Sequence, residues 1–269
     1  MRSGLDNSLK RDIMKEKGGS VLTENKITRP GISSFVLHLL AMGLMLCDHL
    51  WASVLPIDAL TWLGRIALPL FAYMLAEGYF YTRNLKKYLL RLFLCALITE
   101  IPFNLFYGGR WFYPFHQNVL WTFLLALLCL HTVEIIRRRM KWWFALPLSA
   151  VVVLVGYLLG FVTMVDYYGY GVLTVIGFYL LRGRRWYHLL GQTVLLWWIN
   201  CEMMGGLTVP LTVAGYTVEI PQQGMAVLAM VPILLYNGKT GPRNRIIQAI
   251  FYLFYPVHLL VLVLLSQFH

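Results

Sequence analysis

The chain has 269 residues, 59% of them hydrophobic and only 13% charged, with a mean hydropathy of +0.64 and a formal net charge of +11. Soluble domains carry about 25% charged residues, so a soluble domain, a disordered chain, a disulfide scaffold and a DNA-binding domain are all excluded. What remains is a protein that crosses a bilayer many times, whose cations lie between apolar runs and so serve orientation.

Residues 1–31 are basic and polar, with no apolar core of the kind a secretory signal needs. They read as a cytosolic arm ahead of one polytopic domain at 32–269. Nine apolar segments follow, at 33–54, 59–81, 88–108, 118–136, 142–162, 168–181, 186–201, 219–236 and 246–267. The sixth and seventh are short. The stretch 204–220 is apolar but broken by Gly and Pro, and reads as a hairpin or a re-entrant piece. Of the 23 Lys and Arg, 21 fall in the arm and in alternate loops on one side. The expected fold is therefore an all-α bundle of about nine transmembrane helices, with the N-terminus cytosolic and the C-terminus outside.

A charge at the bilayer centre costs about 2.5–3.5 kcal/mol on insertion scales, so ionisable residues there mark sites or packing contacts. Taken in chain order, Asp48 and His49 come first, in LMLCDHLW. Neighbouring side chains point about 100° apart on a helix, so a carboxylate holding His49 is expected from another helix, with Glu100 the first choice. Arg65 stands early in the second segment, at the depth of Asp48 and Glu100. Glu77 is twelve residues further on, near Arg83 and Arg91 at the cytosolic mouth.

In ITEIPFNLF, Glu100 and Asn104 share a face. Pro102 between them removes a backbone hydrogen bond, and a locally broken helix there suggests a polar cavity. Asn118 and Thr122 have the same spacing at the start of the fourth segment. Asp166 lies near an outer end. In the last segment Pro256 is expected to kink the helix beside His258. On the cytosolic side, Arg83, Lys86, Lys87, Arg91, Arg137 and Arg138 belong to a basic rim that suits anionic lipid or a phosphate-bearing cosubstrate. The four cysteines have no CxxC spacing, and neither HExxH nor a P-loop occurs, so no metal and no nucleotide triphosphate is expected.

The strings LMLCDHL, LGRIALPLFAYMLAEGYFYTRNLKKYLLRL, ITEIPFNL, QNVLWT, DYYGYGVLTV and FYPVHLL resemble, in order and spacing, the TraX family. That family is named for a conjugative-plasmid protein that N-acetylates pilin. The resemblance implies a bacterial inner-membrane acyltransferase that uses acetyl-CoA. It puts weight on Asp48, His49, Arg65, Glu77, Arg83, Asn84, Arg91, Glu100, Pro102, Asn104, Asn118, Asp166, Gly169 and His258.

In the mechanism this implies, acetyl-CoA phosphates are held by Arg83, Asn84, Lys86, Lys87, Arg91, Arg137 and Arg138. An amine or hydroxyl acceptor enters from the outer face, near Arg65, Glu77, Asn104, Asn118, Asp166 and His258. His49, oriented by Glu100 or Asp48, acts as general base, and Arg65 or Asn104 stabilises the oxyanion. A proton-coupled transporter or a non-catalytic assembly subunit are the alternatives that the buried charges also allow.

Overall fold

A computed structural model describes residues 31–213 and 215–267, so the basic arm at 1–30 lies outside the described residues. The chain folds into helices α1 (Ser34–Ser53), α2 (Asp58–Gly64), α3 (Ala67–Tyr81), α4 (Leu85–Gly108), α5 (Val119–Arg139), α6 (Trp142–Val162), α7 (Tyr168–Leu180) and α8 (Trp186–Trp197). A π-helical turn at Trp198–Met203 extends α8. Strands β1 (Thr208–Val213) and β2 (Tyr216–Pro221) come next, then a 3-10 segment at Gln222–Ala229, α9 (Met230–Leu235) and α10 (Arg245–Ser266). The broken apolar stretch is thus an antiparallel β-hairpin, with Thr208 opposite Pro221.

Among the described residues, six helices are long and apolar enough to cross a membrane, α2 and α3 counting as one. This is a multi-pass membrane protein. The segments Tyr168–Leu180 and Gln222–Leu235 are shorter apolar helices. At 1.5 Å per residue, α7 spans about 20 Å, less than the roughly 30 Å hydrocarbon core.

Side-chain caps set the starts of α1, α4, α5 and α10. The hydroxyl of Ser33 accepts from Val36 N–H, and the amide oxygens of Asn84, Asn118 and Asn244 accept from Lys87, Leu120 and Ile247. Each satisfies a backbone donor that the first turn leaves open. Gly109, with φ +61°, ends α4 in the left-handed conformation that glycine adopts without strain.

The prolines act in two ways. Pro69 cannot donate to the carbonyl of Arg65 and its ring crowds that carbonyl. The second segment is interrupted there between α2 and α3, yet it still forms one candidate span, as the sequence reads it. By contrast α4 runs unbroken through Pro102 and α10 runs unbroken through Pro256. In α10 the carbonyl freed by Pro256 is that of Tyr252, and the Cys95 thiol donates to it at 3.4 Å.

Two ends can be told apart by contacts. At one, the start of α1 is bonded to the loop after α9, through Ile32 N–H to Leu235 O (2.9 Å) and Ser34 N–H to Lys239 O (2.8 Å). Arg182 reaches Glu77 and Tyr81 at this end, Arg184 donates to the Tyr236 carbonyl, and Tyr179 meets Glu134 near the end of α5. The basic loops therefore gather on one side. At the opposite end, Gln117 N–H donates to Met164 O (2.9 Å) and Asp166 N–H to Gln117 O (2.8 Å). These bonds fasten the α4–α5 loop to the α6–α7 loop. The core between the ends is centred on α3, α5 and α7, where Leu70, Leu127, Leu130, Val172 and Val175 are fully buried.

Candidate functional site

The opposite end carries a polar network built from α1, α2, α4, α5, α10 and the two fastened loops. Asp48 faces the α2–α3 break. Its Oδ1 accepts from Arg65 Nη2 at 2.5 Å and from Thr61 Oγ1 at 2.8 Å. The Arg65 guanidinium also donates through Nη2 to Thr61 Oγ1 (2.8 Å) and through Nε to Thr61 O (3.3 Å). Gly64 permits this arrangement, because a Cβ there would overlap the Asp48 side chain. Nη1 of Arg65 takes part in none of these bonds. Tyr107 and Tyr167 lie within electrostatic range of the guanidinium. Tyr167 sits in the α6–α7 loop, where burial keeps its phenol well above the usual value and therefore protonated.

His49, one residue on, points to a different partner. Its Nδ1 lies 2.7 Å from Nε2 of His258, 209 residues away, and both rings are buried and stacked. Nδ1 of His258 lies 2.7 Å from the Phe254 carbonyl. A carbonyl can only accept, so His258 carries its proton on Nδ1 and its Nε2 is an acceptor. His49 must then donate from Nδ1. This leaves Nε2 of His49 with the free lone pair, the form of imidazole that can take a proton. Phe106 and Tyr255 pack against the same ring.

Glu100 does not hold His49. Its Oε2 accepts from Asn118 Nδ2 at 2.6 Å and from Trp121 Nε1 at 2.8 Å, tying α4 to α5. Nor does Asp48 hold it, since that carboxylate is committed to Arg65 and Thr61. The expected layer of Glu100, Asn104 and Asn118 forms only in part. Asn118 bonds Glu100 and the Ala96 carbonyl, whereas Asn104 donates to Trp111 O (3.3 Å) and keeps a buried, unpartnered Oδ1. Asp166 accepts from the Tyr167 N–H and stands 3.5 Å from His116 Nε2. That nitrogen is buried without a hydrogen bond, so the contact is electrostatic. The Asp166 carbonyl accepts from Thr122 at 2.5 Å.

The structure thus brings together Asp48, Arg65, His49 and His258, with Asp166 close by. Glu77 is separate, at the basic end, and pairs with Arg182 at 2.5 Å rather than with Arg83 or Arg91. The Arg182 guanidinium also lies 3.6 Å over the Phe80 ring. Arg83, Asn84, Lys86, Lys87, Arg91 and Arg137 are exposed at that end, and none of these cations pairs with a carboxylate among the described residues. Arg138 does, with Glu134 (2.9 Å). Thr61, Tyr107, Trp121 and Tyr167 join the network unannounced by the sequence, because neutral polar and aromatic residues are ordinary near a membrane interface. Among the described residues no group of His, Cys, Asp and Glu is placed to hold a metal.

Comparison with known proteins adds three findings. A curated relative, the probable fimbrial assembly protein FimC, serogroup H1, of Dichelobacter nodosus, is 30% identical over 253 residues, covering 86% of this chain and 94% of the relative. No solved structure matches. The family model described as TraX protein matches residues 33–266, which span the whole network; the chain belongs to the TraX family.

Proposed function

We propose that this protein is a membrane-embedded acetyltransferase serving pilus or fimbria assembly. It transfers acetyl from cytosolic acetyl-CoA to an amine of a pilin-type subunit, or to a hydroxyl, at the outer side. Three things support this reading: TraX membership, a relative named for fimbrial assembly, and above all the His49–His258 pair, which presents a base in the correct tautomer. The reading also takes the nine-crossing topology, with the N-terminus in the cytosol and a place in the bacterial inner membrane.

The residues carry the reaction as follows. The acceptor ammonium reaches the site as free amine. Its nitrogen attacks the thioester carbonyl while Nε2 of His49 takes the amine proton. The unused Nη1 of Arg65 donates to the oxyanion, and Asp48 holds the guanidinium still. When the tetrahedral centre collapses, the C–S bond breaks and the CoA thiolate leaves. The proton passes from His49 to that thiolate, giving amide and free CoA thiol. His258, whose Nε2 accepts from His49 Nδ1, is the positioning residue that stabilises the imidazolium.

At the basic end, Arg83, Lys86, Lys87 and Arg91 fit the phosphates of the donor, since all four are exposed and make no ion pair among the described residues. From Lys87 to Phe106, beside His49, α4 rises about 28 Å at 1.5 Å per residue. The donor arm must therefore reach across most of the membrane.

The test is purified full-length protein in nanodiscs, given acetyl-CoA labelled in its acetyl group and a pilin-type N-terminal peptide. Label is expected in the peptide and one CoA thiol is expected per acetyl moved. A non-catalytic assembly subunit, the reading that the relative's name also fits, would bind the peptide and release no thiol.

A further inference from the structure

The outer half of α6 is held tightly. Gly156 and Gly160 form a GxxxG pair, and a Cβ at Gly156 would come within 2.5 Å of Cys129 Sγ while one at Gly160 would come within 2.5 Å of Gly169 N. Small residues at this spacing let helices cross closely in a membrane. The other half carries Pro147. A groove of 940 Å³ lies along α6 between α5, α7 and Met203, and neither histidine of the pair lines it. It runs from Arg137 and Trp142 to Tyr157. From Trp142 to Tyr157 α6 rises about 22 Å at 1.5 Å per residue, which exceeds one leaflet of a roughly 30 Å core.

The groove has one charged end. Arg137 lines it and makes no ion pair among the described residues, whereas Arg138 is tied to Glu134. No carboxylate lines it. The same end holds the start of α6, where Lys141 supplies no side-chain cap and the helix dipole favours an anion. Trp142, exposed beside it, suits the headgroup level. We propose that the groove binds one anionic phospholipid of the leaflet on the Arg137 side, with its phosphate at Arg137 and the start of α6, and one acyl chain lying along α6. The positive end selects an anion, and the apolar length selects a lipid over a free phosphate. This binding does not depend on the acetyltransferase reading.

The experiment is native mass spectrometry of the detergent-purified chain, titrated with phosphatidylglycerol or phosphatidylcholine of the same chains. Phosphatidylglycerol is expected to bind preferentially, with Arg137→Ala weakening it about tenfold, the loss of one charge-assisted bond. Arg139→Ala, which removes the same charge outside the groove, should leave it unchanged. Ala150→Trp should expel the chain; if that variant does not fold, the two arginine variants still decide. Equal binding of both lipids, equal effects of the two arginine variants, retention of no lipid, displacement of phosphatidylglycerol by inorganic phosphate, or a dimer that dissociates as lipid is added would each overturn the proposal.

Discussion

The two histidines at 2.7 Å explain more of the site than any charge does. Protonating both would leave their shared bond without an acceptor, so the pair holds at least one neutral ring. Because the Phe254 carbonyl fixes the direction, the free lone pair belongs to His49. His258→Leu, which removes the acceptor for His49 Nδ1–H, should lower kcat about 100-fold with KM nearly unchanged, within the range for general-base assistance, and His258→Gln, which keeps an acceptor, should recover part of it. Steady-state thiol release would show that split; equal loss in KM would indicate a packing defect instead. Asp48 serves a different need. Removing it in Asp48→Ala leaves the Arg65 guanidinium uncompensated and should cost about 1–3 kcal/mol, less than a fully buried pair because both side chains keep some exposure. Unfolding in mixed micelles would measure it, and restoration by the double variant Asp48→Ala/Arg65→Met would tie the loss to the charge.

At the scale of elements, the apolar runs were legible because hydropathy reports each helix directly. The residues flagged by desolvation cost were legible for the same reason, and Asp48, His49, Arg65 and His258 do meet. Their pairings were not legible. Which face of α4 turns to α5 depends on how both helices rotate in the bundle, and that rotation sends Glu100 to Asn118 and Trp121 instead of His49. Likewise Glu77 meets Arg182 because α3 packs against α7, a neighbour that sequence spacing does not reveal. The break expected at Pro102 does not occur. Pro69 breaks its helix, whereas Pro102 and Pro256 are absorbed, the latter with the Cys95 thiol on the freed carbonyl. Glycine contacts give an element-scale prediction. Gly64→Val should push α2 away from Asp48, cost about 1–3 kcal/mol as overpacking and reduce activity. An equal change at Gly43, which faces open space, should do neither; thermal unfolding of the two variants makes the comparison.

For the whole molecule, contacts among the described residues define two ends. The basic loops share one end, and the histidine network lies towards the other. From Ser34 to His49 the rise along α1 is about 22 Å at 1.5 Å per residue, which places the base far from the exposed cations. In the proposed orientation the basic end faces the cytosol, by the cytosolic preference of Lys and Arg. Single cysteines at Lys86 and at Phe112, in a chain with its native cysteines replaced, should label from opposite sides of inverted and right-side-out vesicles, Lys86 from the cytosolic side. Labelling of both from one side would contradict the arrangement.

The division of labour between the two ends leads to the most direct measurement. In nanodiscs, with acetyl-CoA and an amine peptide in excess, release of CoA thiol should depend on the peptide and should fall at least about 100-fold in His49→Ala, the usual worth of a general base. Peptide binding should be unaffected. Thiol release that is absent in the native protein, or undiminished in His49→Ala, would contradict the account.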